Sequence, residues 1–112
     1  MAIRADKVFL NESTSAENGS EYLIPNVGSN TVMGLSIFGT AATYTIHFEA
    51  KGNIGDYQVF GVWDETKMDL ITSATETSGK LFTVDLTGKV SFRVRLSSVT
   101  GGYLSASGKV IE

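Results

Sequence analysis

Apolar residues fall on every second position across residues 89–96, where Val90, Phe92, Val94 and Leu96 alternate with Ser91, Arg93 and Arg95. A period of two sends successive side chains to opposite faces, so this stretch predicts a half-buried β-strand. Residues 42–50 repeat the pattern, with Tyr44, Ile46, Phe48 and Ala50 on one face and Thr43, Thr45, His47 and Glu49 on the other. Residues 31–39 alternate in part: Met33, Leu35 and Ile37 share a face opposite Gly34, Ser36 and Phe38. The short "GTA" link between these two stretches predicts an antiparallel hairpin.

The rest of the chain continues in short apolar runs separated by turn residues. Strands are expected at 6–10, within "EYLIPNVG" up to Pro25, and at 57–63, 68–72, 80–86 and 102–112. Pro25 cannot donate to a ladder, so its strand ends there or lies at a sheet edge. Residues 57–63, "YQVFGVW", carry large apolar groups on both faces, as a central strand or one covered by a neighbouring subunit would. No stretch keeps a helical period. Eight or nine short strands with polar turns predict an all-β fold: one antiparallel, jelly-roll-like β-sandwich over residues 1–112. An immunoglobulin-like sandwich is the second choice, since no cysteines flank Trp63. Within that domain, residues 1–20 join the apolar Val8, Phe9 and Leu10 to the polar loop "NESTSAENGS" and read as a docking arm.

Composition narrows the function classes. A chain of 112 residues can bury about two-thirds of its unfolded surface and needs no disulfide or metal to fold. Cysteine is absent, which removes thiol nucleophiles and Cys-based zinc sites. A net charge of −3 argues against nucleic-acid binding. No run has the length of a signal peptide or of a bilayer-spanning helix, so neither cleavable export nor membrane insertion is expected.

Candidate chemistry is sparse. His47 is the sole histidine, with no G-x-S-x-G serine and no H-x-x-x-H pattern, so it reads as an outward polar residue. Asp56, Asp64, Glu65 and Asp69 could gather around Ca²⁺, but they lack the spacing of a calcium loop and read as solvated turn residues. Neither cofactor nor metal is expected. Tyr57 and Trp63 border turns and are the natural pair for stacking on a sugar, although a small sandwich also needs large side chains for its core. Arg93 and Arg95 share the polar face of a regular strand, while Lys51, Lys67, Lys80 and Lys89 occupy turns. Arginine's planar fork suits carboxylates and aromatic faces, so the pair marks either a contact with another protein or a cross-strand pair with Glu49 or Asp85.

The C-terminal third, with "LFTVDLTG", a tight turn, "VSFRVRLSSVTGG" and a last strand "YLSASGKV", resembles a recurrent ending in small β-sandwich proteins of tailed-phage virions. The resemblance covers Leu81 to Val110 and carries no catalytic signature. It implies a non-enzymatic structural protein located on the virion, foremost a capsid decoration protein bound to the major capsid or another virion protein, and homo-oligomeric. Arg93, Arg95, Val8, Phe9 and Leu10 are its expected contact residues. The alternative is a carbohydrate-binding adhesion module of a tail or baseplate appendage, holding a host-surface glycan at Tyr57 and Trp63.

Overall fold

The computed structural model describes residues 3–24, 31–75 and 80–111. Every regular element among them is a strand. In chain order these are β1 (Ile3–Ser13), β2 (Tyr22–Leu23), β3 (Val32–Gly39), β4 (Thr43–Lys51), β5 (Gln58–Val59), β6 (Val62–Asp64), β7 (Asp69–Ile71), β8 (Ser73–Ala74), β9 (Lys80–Asp85), β10 (Ser91–Thr100) and β11 (Leu104–Ile111). One sheet has six strands in the order β1-β11-β3-β9-β6-β7. The other runs β2-β10-β4-β5, with β8 also paired to β4.

All pairings are antiparallel, and they nest. The outermost strands of the chain pair first, β1 with β11; then β2 with β10, β3 with β9 and β4 with β8. The folded-over array is divided between two sheets and forms the antiparallel sandwich expected from the sequence. The segment β5–β7 is inserted into it. It supplies a short neighbour to β4 in one sheet and extends the other beyond β9.

The core lies between the sheets and follows the alternation read from the chain. Phe48, Phe92, Ile46 and Val94 are fully buried, facing Phe9, Met33, Leu35, Phe82 and Val84 from the other sheet. Phe9 meets Phe92 edge-on with centroids 5.5 Å apart, and Phe48 tilts against Phe82 at 5.1 Å. Each such ring stabilises the fold by roughly 1.5–3 kcal/mol through area burial alone. Gly108, in the middle of β11, is required by this packing. A Cβ there would lie 2.5 Å from Met33 Sδ and 3.1 Å from Phe9 Cε2.

Several expectations need correction. Among the described residues there are eleven strands, not eight or nine, because the expected strand at 57–63 is split in two and Ser73–Ala74 forms a short strand that was not expected. Residues 57–63 do not form one central strand. Gln58–Val59 pairs with β4, whereas Val62–Asp64 pairs with β7 and β9 in the opposite sheet. Residues 31–51 are not a hairpin either: β3 and β4 belong to different sheets, and their short link crosses the sandwich. The first strand runs on to Ser13, past the expected start of the polar loop, through register shifts and a left-handed Glu12 at φ 50. Phe9 and Leu10 are 1% exposed core residues, so they are not free to dock on a neighbour; Val8, 55% exposed, is. The expectation for Pro25 lies outside the described residues.

Candidate functional site

The alternation that buries Phe92, Val94 and Leu96 turns Arg93 and Arg95 to the outer face of the five-stranded sheet. Strand β4 lies beside β10 with Arg93 opposite Glu49 and Arg95 opposite His47. Glu49 therefore sits between the two guanidiniums. Arg93 Nε donates to Glu49 Oε1 at 2.8 Å and Arg95 Nε to Oε2 at 2.9 Å. The Glu49 side chain is only 10% exposed, against 20% for Arg93 and 33% for Arg95. Burial disfavours the Glu49 carboxylate more than any other single influence. The hydrogen bonds from Arg95 and Arg93, with their charges, outweigh it and hold the carboxyl below the ordinary carboxylate range.

The two arginines differ in their second contacts. The Arg93 guanidinium lies 4.0 Å from the centroid of the Tyr57 ring. The Tyr57 hydroxyl donates to Glu21 Oε1 at 2.5 Å and lies 2.8 Å from Ser91 Oγ. Burial first, then the hydrogen bond to Glu21, raises the Tyr57 pKa, so the ring keeps its proton at neutral pH. Among the described residues Arg95 has no such stack, and it borders an open concavity with Ala16, Glu17, Asn18, Leu96 and Ser97. The loop that supplies the first three is tied to β10 by paired backbone hydrogen bonds between Glu17 and Leu96 at 2.9 and 2.8 Å.

Polar and apolar groups surround the pair. His47 Nε2 lies 3.2 Å from Ser97 Oγ, which donates to the Thr45 carbonyl. Lys51 Nζ is 5.7 Å from the Tyr57 centroid. Leu23, opposite Ser91, and Val59, opposite Glu49, share the outer face and are 67% and 59% exposed. The sequence singled out the two arginines, but Leu23, Val59, Glu17 and Asn18 carry no local signal. Only the strand order brings them to this face.

Other candidate residues are dispersed. Tyr57 and Trp63 do not form one site: Tyr57 packs on the five-stranded sheet, whereas Trp63 is a half-buried residue of β6 in the other, opposite Leu70 and Thr83. Asp64 is not a solvated turn residue. It is fully buried, and its Oδ1 accepts the backbone N–H groups of Thr66 and Lys67 at 2.8 and 3.0 Å. Glu65 accepts the Thr83 hydroxyl, and Asp69 Oδ1 accepts the Leu70 N–H. Among the described residues these carboxylates have separate partners, and no three acidic or histidine side chains converge as metal ligands would. Asp85 holds the Thr87 N–H at 3.0 Å, so the arginines' carboxylate partner is Glu49.

Comparison with known proteins gives the chain a family. The model of the XepA family matches residues 4–110, and the chain belongs to that family. The solved structure of the SPBc2 prophage-derived protein YomS superposes with a TM-score of 0.84 at 23% identity, covering 96% of this chain and 92% of that one. The PBSX exported protein XepA superposes with a TM-score of 0.86 at 22% identity. That match covers 99% of this chain and 39% of XepA, so the chain corresponds to well under half of that relative. No curated protein sequence matches it.

Proposed function

We propose that this member of the XepA family is a non-enzymatic structural protein of a phage particle, held to another virion protein through the outer face of its five-stranded sheet. Capsid decoration is the specific role. The observation that carries the reading is the half-buried Arg93–Glu49–Arg95 cluster with exposed Leu23 and Val59 on either side. Arginine held in a fixed geometry beside apolar side chains is the make-up of protein contacts. The likeness to a prophage-derived protein and to an exported prophage protein supports a phage origin. The adhesion reading loses its paired aromatic site, because Tyr57 and Trp63 serve different sheets and Arg93 covers a face of the Tyr57 ring.

The test is location. Particles are purified from a lysate and their proteins counted by mass spectrometry. A decoration protein is expected at a copy number comparable to that of the major capsid protein. Recovery only from the particle-free medium would refute the reading and favour export, as for the PBSX exported protein XepA.

A further inference from the structure

We infer that Asn18 is a site of covalent self-modification, at which the Gly19 backbone nitrogen converts the asparagine amide to a carboxylate. The reaction needs only water as co-reactant and is independent of the particle contact. The Gly19 nitrogen attacks the Asn18 side-chain carbonyl carbon and a new N–Cγ bond forms. The Cγ–Nδ2 bond breaks, and the amide leaves as ammonia with the Gly19 proton. Water then opens the cyclic imide at either carbonyl. One opening leaves aspartate; the other reroutes the chain through the side chain and leaves isoaspartate. A side chain on the following residue hinders the attack, and glycine has none. Of the five asparagines in the chain, Asn18 alone precedes glycine; Asn11, Asn26, Asn30 and Asn53 precede Glu12, Val27, Thr31 and Ile54.

The fold leaves the reacting groups open. Asn18 is exposed, so water reaches it. The loop is seated on either side of it: Glu17 N–H donates to the Leu96 carbonyl at 2.9 Å and Ser20 N–H to the Phe9 carbonyl at 3.0 Å. Between these seats, among the described residues, neither the Gly19 N–H, whose proton must be lost, nor the Asn18 amide has a hydrogen-bond partner. The fold also requires the residue that makes Asn18 reactive. Gly19 has φ +72, and a Cβ there would lie 2.4 Å from the Val94 carbonyl oxygen and 3.2 Å from that of Phe9. The two products differ in consequence. Aspartate keeps the main chain and adds a carboxylate to the concavity that Asn18 shares with Glu17 and Arg95. Isoaspartate adds a methylene to the main chain between the two seats, where the close approach of Gly19 to β10 leaves no room for it.

The experiment is peptide mapping by mass spectrometry of the folded protein held at mildly alkaline pH, with a sample unfolded in urea as the reference. The mass gain of an amide-to-acid conversion is expected at Asn18 about tenfold or more faster than at Asn11 or Asn53. Its rate in the folded protein should lie within about tenfold of the rate in urea. Asn18→Gln should abolish the gain at this position, because the longer side chain must close a larger ring. Reaction first at another asparagine, or a folded-state rate about a hundredfold below that in urea, would overturn the inference. A second measurement tests the consequence for the loop. The modified fraction is isolated by ion exchange, and its isoaspartate is quantified by enzymatic methyl transfer. It should melt below the Asn18→Asp variant, which carries the new charge without the extra methylene. Equal melting of an isoaspartate-rich fraction and that variant would overturn the claim that the seats fix the length of the loop.

Discussion

Glu49 is the residue on which the outer face of the five-stranded sheet depends. It is the shared acceptor of two guanidiniums, and its own carboxylate is largely withdrawn from water. Replacing it with glutamine removes the charge and leaves two part-buried arginines facing a neutral group. Since both arginines keep some solvent, the expected loss is moderate, about 1–3 kcal/mol in urea unfolding at neutral pH. The pH dependence has a defined sign. The folded-state pKa of Glu49 is lowered, so the stabilisation is complete above the ordinary carboxylate pKa and is lost as pH falls through the folded value. Denaturation midpoints should therefore fall on acidification more steeply in the wild type than in Glu49→Gln, and parallel curves would show that the clamp adds nothing. In the core, Phe48→Ala and Phe92→Ala should each cost about 3–5 kcal/mol, because both rings are fully buried and touch aromatic partners. Unchanged urea midpoints would contradict that packing. The double substitution Arg93→Ser, Arg95→Ser should lower the melting temperature, since the pair is built into the monomer.

At the scale of an element, the loop between β1 and β2 matters most for the site, because it walls the concavity beside Arg95. It is held by backbone. Ser20 N–H donates to the Phe9 carbonyl at 3.0 Å, and Gly19 adopts φ +72 where a Cβ would lie 2.4 Å from the Val94 carbonyl oxygen. No rotamer change relieves a clash with backbone, and a left-handed φ adds its own penalty. Gly19→Ala should destabilise by about 1–3 kcal/mol in thermal or urea unfolding, with the cost from overpacking and strain combined. A neutral result would mean that the loop is not seated on β10. The short β5 and β6 show a different economy. Two and three residues suffice because each borders a longer strand, β4 or β9. Their junction at Phe60 and Gly61 turns the chain from one sheet to the other, and Phe60 packs against the core beside Phe92 with centroids 6.1 Å apart.

For the whole molecule, the pairing of β1 with β11 joins the two ends of the chain. The first strand is thus part of the sandwich and not a detachable arm. Deleting residues 1–13 should remove Phe9 and Leu10 from the core and expose the edge of β11. The truncated protein is expected to lose its cooperative thermal transition or to aggregate on a sizing column, as an uncovered edge strand would. A monomeric product with native-like melting would show that the strand is dispensable. Nested long-range pairings also predict slow folding, in the millisecond-to-second range typical of β-sandwiches. Stopped-flow tryptophan fluorescence from Trp63 would measure it.

The sequence alone determined the fold class and the faces of its regular strands. A period of two is a local property of the backbone, so placing Phe48 and Phe92 inward and Arg93, Arg95 and His47 outward required no knowledge of the neighbours. The same reading identified Glu49 as a possible partner for the arginines, but could not choose it over Asp85. That choice belongs to strand register, which is set by packing across both sheets. Tertiary structure also decided which strands share a sheet. The residues of 57–63 look like one buried strand because a chain crossing between sheets has an apolar surface to cover on each side. Phe9 and Leu10 look like a docking arm until β11 is placed beside them. Trp63 and Tyr57 are six residues apart in sequence and belong to different sheets in space. The concavity beside Arg95 has no sequence signature, because it is made by a loop and a strand separated by most of the chain, and only their contact gives it walls.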